Sequence, residues 1–171
     1  MDVSYINPFI CAAQNVFRTV LECDIERRRL LAKDDCAPTF DVSAVIGLSG
    51  KARGAVVFSV SESVACMVVK AMLDMEVDTV NSDVIDAVGE LANMIAGGAK
   101  TALSSYEMSI SLPNVVVGRG HCIDFPSRVR PICVLFDTPA GPIALEVGLD
   151  TSEVELATSL AGEEALALAA R

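Results

Sequence analysis

Apolar residues recur along this chain with two periods, and the points where one gives way to the other divide it into elements. Phe9, Ala12, Ala13, Val16, Phe17, Val20 and Leu21 fall at three- and four-residue spacings. That period predicts an amphipathic helix, with Pro8 in its first turn, where a missing backbone N–H costs nothing. An irregular charged stretch follows and ends near Pro38. Residues 42–48 and 55–60 are rich in Val, Ala, Ile and Phe and flank Ser49-Gly50-Lys51-Ala52-Arg53-Gly54, which predicts two strands joined as a hairpin. Ser61 suits the N-cap of a helix running to about Leu73. A longer helix begins near Ser82 or Asp83 and reaches about Leu103.

Beyond it, residues 108–112, 115–118, 130–137 and 143–149 read as β-rich segments, the last two flanking the turn Thr138-Pro139-Ala140-Gly141-Pro142. Ser152 and Glu155 match a capping box for a short Ala/Leu/Glu helix, unless that tail is frayed. Each half of the chain thus reads helix, variable segment, hairpin with a glycine at its turn. Gly54 before 55–60 parallels Gly141 before 143–147, and the first helix parallels 84–96. The expected fold is α/β of the α+β kind: two layers of β-hairpins and helices in pseudo-repeated halves. Residues 1–150 form one domain, and 151–171 a helix or frayed tail. Ile132-Cys133-Val134-Leu135-Phe136 has no internal charge or proline to blunt an exposed edge. Such a strand must be interior, covered or joined to another copy, and a homodimer pairing sheet edges across a two-fold axis is expected.

Composition narrows the function classes. Of 171 residues 52% are hydrophobic but only 5% aromatic, with no Trp, so Ala, Val, Ile and Leu must fill the core. The formal net charge of −10 argues against nucleic acid, a polyanion that needs a basic patch. The one basic cluster, Arg27-Arg28-Arg29, is set among Asp24, Glu26, Asp34 and Asp35 and reads as a solvated helix end or loop. The start of the chain lacks a secretory pattern, and no uncharged apolar run approaches the roughly 20 residues of a membrane span. The six cysteines form no CxxC, and there is one histidine, so a zinc site is not expected. Reduced cysteines acting as small buried hydrophobes, in a cytoplasmic protein without membrane contact, are the reading.

The helix after Ser82 carries the candidate chemistry. At about 100° per residue, Asp86, Glu90, Asn93, Gly97 and Lys100 fall within an arc of roughly 80°, with Val84, Val88, Leu91, Ile95, Ala99 and Ala102 opposite and facing the core. Glu90 and Asn93 therefore point outward together. An isolated E-x-x-N spacing is ordinarily just a solvated helix face. Here Asn93, Gly97 and Gly98 are all mediocre helix formers, and the small residues leave room for another protein. Two rivals fail on local grounds. His121 and Cys122, if on a strand, point to opposite faces and cannot pair as base and thiol. Ser49-Gly50-Lys51-Ala52-Arg53-Gly54 lacks the G-K-[ST] ending of a phosphate loop and precedes a strand, not a helix.

The string Asp86-x-x-x-Glu90-Leu91-x-Asn93-Met94-Ile95-x-Gly97-x-x-Lys100 resembles the signature helix of the CheC/CheX/FliY family of chemotaxis phosphatases. Asn7-Pro8-Phe9, with Ala12 and Val16-Phe17, is similar to the start of the CheX branch. The resemblance spans about residues 5–150 and implies a CheC-like fold acting on the aspartyl phosphate of a CheY-like response regulator. Where the two helices are superposed, Asn15 lies opposite Glu90 and Arg18 opposite Asn93, so one site per chain is implied, and with it a CheX-like dimer. Phosphoryl transfer is loose and rests on positioning. A carboxamide can both accept from and donate to a water, which suits Asn93 to holding the nucleophile. Asp86 and Lys100 serve solubility or, with Gly97, rim contacts to the partner, and the resemblance gives Glu90 an ion pair with the lysine beside the regulator's phosphoaspartate. It also assigns Mg²⁺ to the regulator, with no cofactor of this chain's own. The alternative is a non-catalytic adaptor of the same fold that binds a regulator or another signalling protein.

Overall fold

Three helices and seven strands arise from these periods in the computed structural model, which describes residues 5–33, 40–118, 120–125 and 129–151. The first helix, α1 (Ile6–Val20), buries Ile6, Phe9, Ile10, Ala12, Ala13, Val16 and Phe17. Helix α2 (Glu62–Leu73) starts where the Ser61 hydroxyl accepts the Val64 N–H, and ends at Asp74 in the left-handed region. Helix α3 (Ser82–Ala102) is capped by Asn81, whose side-chain oxygen accepts the Val84 N–H at 3.0 Å. The cap fills a donor that the first turn would otherwise leave unpaired.

The strands are β1 (Glu26–Ala32), β2 (Val42–Ser49), β3 (Arg53–Val60), β4 (Ser109–Ile110), β5 (Asn114–Val117), β6 (Ile132–Thr138) and β7 (Gly141–Asp150). They form one antiparallel sheet in the order β1-β6-β7-β3-β2-β4, with β5 also on β2. The hairpins β2–β3 and β6–β7 meet through β3 and β7, in register from Arg53↔Asp150 to Val60↔Ile143. Each half of the repeat is thus helix, strand, hairpin, and the strand crosses to flank the other half's hairpin: β1 pairs with β6, while β4 and β5 pair with β2. The "variable segment" of each half is this exchanged strand, and α2 lies between the halves.

Alternation decides which side chains meet the helices. Val42, Ala44, Ile46 and Leu48 of β2, Val56, Phe58 and Val60 of β3, and Ile143, Leu145 and Val147 of β7 join α1, α2 and α3 in one buried cluster. Phe17 of α1 meets Phe58 edge-on, with ring centroids 6.2 Å apart. Gly98 lets α3 approach α1, because a Cβ there would lie 3.2 Å from the Ala12 Cβ. The opposite sheet face is polar in places yet buried. The Ser43 and Ser59 hydroxyls lie 3.0 Å apart, and His121 Nε2 is 3.2 Å from the Ser43 hydroxyl. Lys33 Nζ contacts Glu146 at 2.6 Å, with only 3% of the glutamate side chain exposed. Phe125 packs so closely on Gly148 that a Cβ there would come within 2.7 Å of its ring.

Several expectations change. Arg27-Arg28-Arg29 lies on β1, an edge strand, not on a helix end or loop; its side chains are solvated as expected. Strand β6 lies between β1 and β7, so Ile132–Thr138 is interior and offers no edge to a second copy. Ala102 is exposed at the end of α3 instead of facing the core. The cysteines do not share one environment: Cys133 is buried, Cys23 and Cys66 are half-buried, Cys11 is exposed and Cys122 is disulfide-bonded. Burial, then the neighbouring Asp24, raises the Cys23 thiol pKa; burial, then Glu62 and Asp78, raises that of Cys66. His121 and Cys122 are not on a strand. Their pairing as base and thiol fails instead because the sulfur is bonded and the imidazole Nδ1 is 2.8 Å from the Gly118 carbonyl. The proposed capping box at Ser152 and Glu155 lies outside the described residues, as does all of the tail except Thr151.

Candidate active site

Helix α3 is the middle of the helical layer, packed against both α1 and α2 and lying over β2 and β3. Its buried stripe is wider than the spacing alone implies, taking in Ala87, Ala92 and Ala96 as well as Val84, Val88, Leu91, Ile95 and Ala99. The line singled out on the sequence runs outside that stripe. Asp86 and Glu90 are exposed, and Asn93, Gly97 and Lys100 are half-buried. Three residues of helix separate Glu90 from Asn93, about 4.5 Å along the axis, with both on one face. All five residues singled out on the sequence therefore share one surface.

Among the described residues, the side chains of Asp86, Glu90, Asn93 and Lys100 make no hydrogen bond or ion pair. The fold does not use these polar groups. Gly97 is also free of packing duty, since a Cβ there would meet nothing within 4 Å. Gly98 differs: its lack of a side chain serves the contact with α1, so only Gly97 leaves open space over the candidate site.

Two shoulders flank the line, and neither was identified from the sequence. On one side the turn after β4 rises against α3 at Gly89, where a Cβ would lie 3.3 Å from Val115 Cγ2 and 3.5 Å from Pro113 Cγ. On the other, a shallow groove of about 470 Å³ runs between α1 and α3, lined by Asn7, Pro8, Cys11, Ala12, Asn15, Gly98 and Ala102. A leucine and a proline between two short apolar segments were the available signal for the first shoulder. The groove had none, because it exists only once the helices pack. The arrangement supplies an exposed carboxylate and a carboxamide with free space around them. No three His, Cys, Asp or Glu among the described residues are grouped to hold a metal ion.

This architecture recurs in a CheC-like superfamily protein from Shewanella sp. PV-4, which is 31% identical and has a TM-score of 0.81, covering 88% of this chain and 99% of that one. That sets the class. Within it, the chain belongs to the chemotaxis phosphatase CheX family, whose model matches residues 42–137. The CheY-P phosphatase CheX of Thermotoga maritima is 30% identical over 122 residues, 70% of this chain and 79% of that protein. The CheX chain in the CheX–CheY–BeF3–Mg²⁺ complex from Borrelia burgdorferi is 25% identical, with a TM-score of 0.71 over 86% of this chain and 99% of that one.

Proposed function

We propose that this chain hydrolyses the aspartyl phosphate of a CheY-type response regulator, with Asn93 positioning the attacking water and Glu90 pairing with the regulator's lysine. The observation that carries the reading is a carboxylate and a carboxamide one turn apart on α3, uncommitted to the fold and unobstructed at Gly97. The family and the Thermotoga relative, named for its action on CheY-P, support the substrate class.

The Asn93 carboxamide accepts a hydrogen bond from the water through its oxygen and so directs a water lone pair in line with the scissile bond. Glu90, negative beside a phosphoryl group, contributes through the lysine it neutralises and not as a general base. Mg²⁺ enters with the regulator, and this chain brings no cofactor of its own. Asp86, Gly97 and Lys100 form the rim of the contact. The protein acts in the cytoplasm, beside its regulator; no helix of the described residues is long and apolar enough to cross a membrane.

A homodimer that pairs sheet edges across a two-fold axis belongs to the same proposal, with a changed basis. Strand β6 is interior, and β1 carries the arginines that blunt an edge, which leaves β5 with Val116 and Val117 exposed at 37% and 45%. Light scattering at micromolar concentration should give twice the chain mass, and a strict monomer would overturn the dimer.

The functional test is the decay of a chemically phosphorylated CheY-type regulator with and without this protein. Catalytic acceleration at substoichiometric protein is expected. Binding without acceleration would instead establish the adaptor reading.

A further inference from the structure

Three large apolar side chains stand exposed on the segment beside α3: Leu112, Val116 and Val117. Leu112 is the extreme case at 85%. A single exposed leucine needs no explanation, but this one is held in place. The Ser111 N–H donates to the Gly47 carbonyl at 2.9 Å. Its hydroxyl accepts the Gly47 N–H at 2.9 Å and donates to the Leu112 carbonyl at 2.8 Å. On either side of this arch, β4 and β5 both pair with β2, through Leu48↔Ile110 and Val45↔Asn114. Pro113 follows with its φ fixed by the ring and lies against α3 at Gly89. Backbone freedom is removed around a side chain left in water, which lowers the ordering entropy that binding must overcome.

We propose that Leu112 is a docking residue for the response regulator, an apolar anchor that sets affinity at the Glu90/Asn93 face without taking part in the chemical step. This rests on the phosphatase reading above. The occupant follows from continuity and charge. Pro113, the neighbour of Leu112, packs on α3 at Gly89, the residue before Glu90, so the arch borders the helix that carries the Glu90/Asn93 face. The second copy proposed above pairs at Val116 and Val117 of β5; seated over Glu90 instead, it would bring another Asp86/Glu90 pair toward the same acidic face, in a protein of net charge −10. A regulator presenting a lysine to Glu90 is complementary there.

The test is steady-state kinetics on a CheY-type regulator phosphorylated with phosphoramidate, comparing wild type, Leu112→Ser, Leu112→Met and Leu30→Ser. Leu30 lies on β1, at the other edge of the sheet. Leu112→Ser should raise KM about tenfold, within the range of a truncated interface anchor, with kcat within about twofold of wild type. Leu112→Met should restore most of the affinity, and Leu30→Ser should behave as wild type. An unchanged KM in Leu112→Ser, or a loss confined to kcat, would overturn the proposal. So would an unchanged KM accompanied by a halved mass in light scattering, which would assign the residue to self-association. The phosphatase reading fails separately, if wild type itself gives no acceleration.

Discussion

Helices α1 and α3 occupy equivalent places in the two halves of the repeat, yet their corresponding side chains do different things. On α1, Asn15 and Arg18 stand three residues apart, as Glu90 and Asn93 do on α3. The Arg18 guanidinium donates to the Asn15 side-chain oxygen at 3.3 Å, and the Thr19 hydroxyl donates to the Asn15 carbonyl at 2.8 Å. The α1 pair thus bonds within its own helix. The α3 pair bonds to none of the described residues and has open space beside it at Gly97. Polar groups that a fold leaves unsatisfied at its surface are available to a partner, whereas those already paired must first break a contact.

The comparison can be broken most severely at Asn93. Asn93→Ala should lower the stimulated dephosphorylation rate by about 10²–10³, typical for loss of one positioned catalytic group, while the melting temperature stays near wild type. Near-normal turnover in the folded variant would remove Asn93 from the mechanism. The opposite separation is expected on the far face of the sheet. Lys33→Ala removes one charged partner of the buried Glu146 and should lower stability in urea unfolding by about 1–3 kcal/mol. Its turnover below the transition should remain that of wild type.

Smaller effects sharpen the contrast. Glu90→Ala should weaken regulator binding by about 2 kcal/mol by leaving a lysine unpaired at a desolvated contact, which calorimetry would measure. Gly97→Ala adds a methyl that meets nothing in this chain and improves helix propensity, so it should stabilise the protein by about 0.5–1 kcal/mol. If the regulator's backbone fills that space, the same variant turns over more slowly. Asn15→Ala and Arg18→Ala should leave the rate within about twofold of wild type. A large loss from either would restore a working site to α1.

Much of this contrast was readable before the structure. The α1 apolar set, both hairpins, the Ser61 cap and the outward line on α3 follow from periodicity that tertiary packing reinforces. Strand β1 was not readable because Glu26-Arg27-Arg28-Arg29 carries charge on both faces of an edge strand, which erases the period of two. That omission hid the exchange of strands between halves and left open whether β6 is interior or joined to another copy. Gly97 and Gly98 looked alike in sequence, and only the approach of Ala12 distinguishes a packing glycine from an open one. The arch at Leu112 read as the end of a strand, because its fastening to Gly47 is a contact between distant parts of the chain.

The central claim is that the α3 pair, and not its α1 counterpart, meets the phosphoryl group. It is tested most directly by following the side-chain amide resonances of Asn93 and Asn15 in ¹⁵N-labelled protein as a CheY-type regulator activated with beryllofluoride and Mg²⁺ is added. The account predicts a large saturable shift of the Asn93 amide, absent with the unactivated regulator, and little change at Asn15. A shift at Asn15 with Asn93 unmoved, or the same response to activated and unactivated regulator, would contradict it.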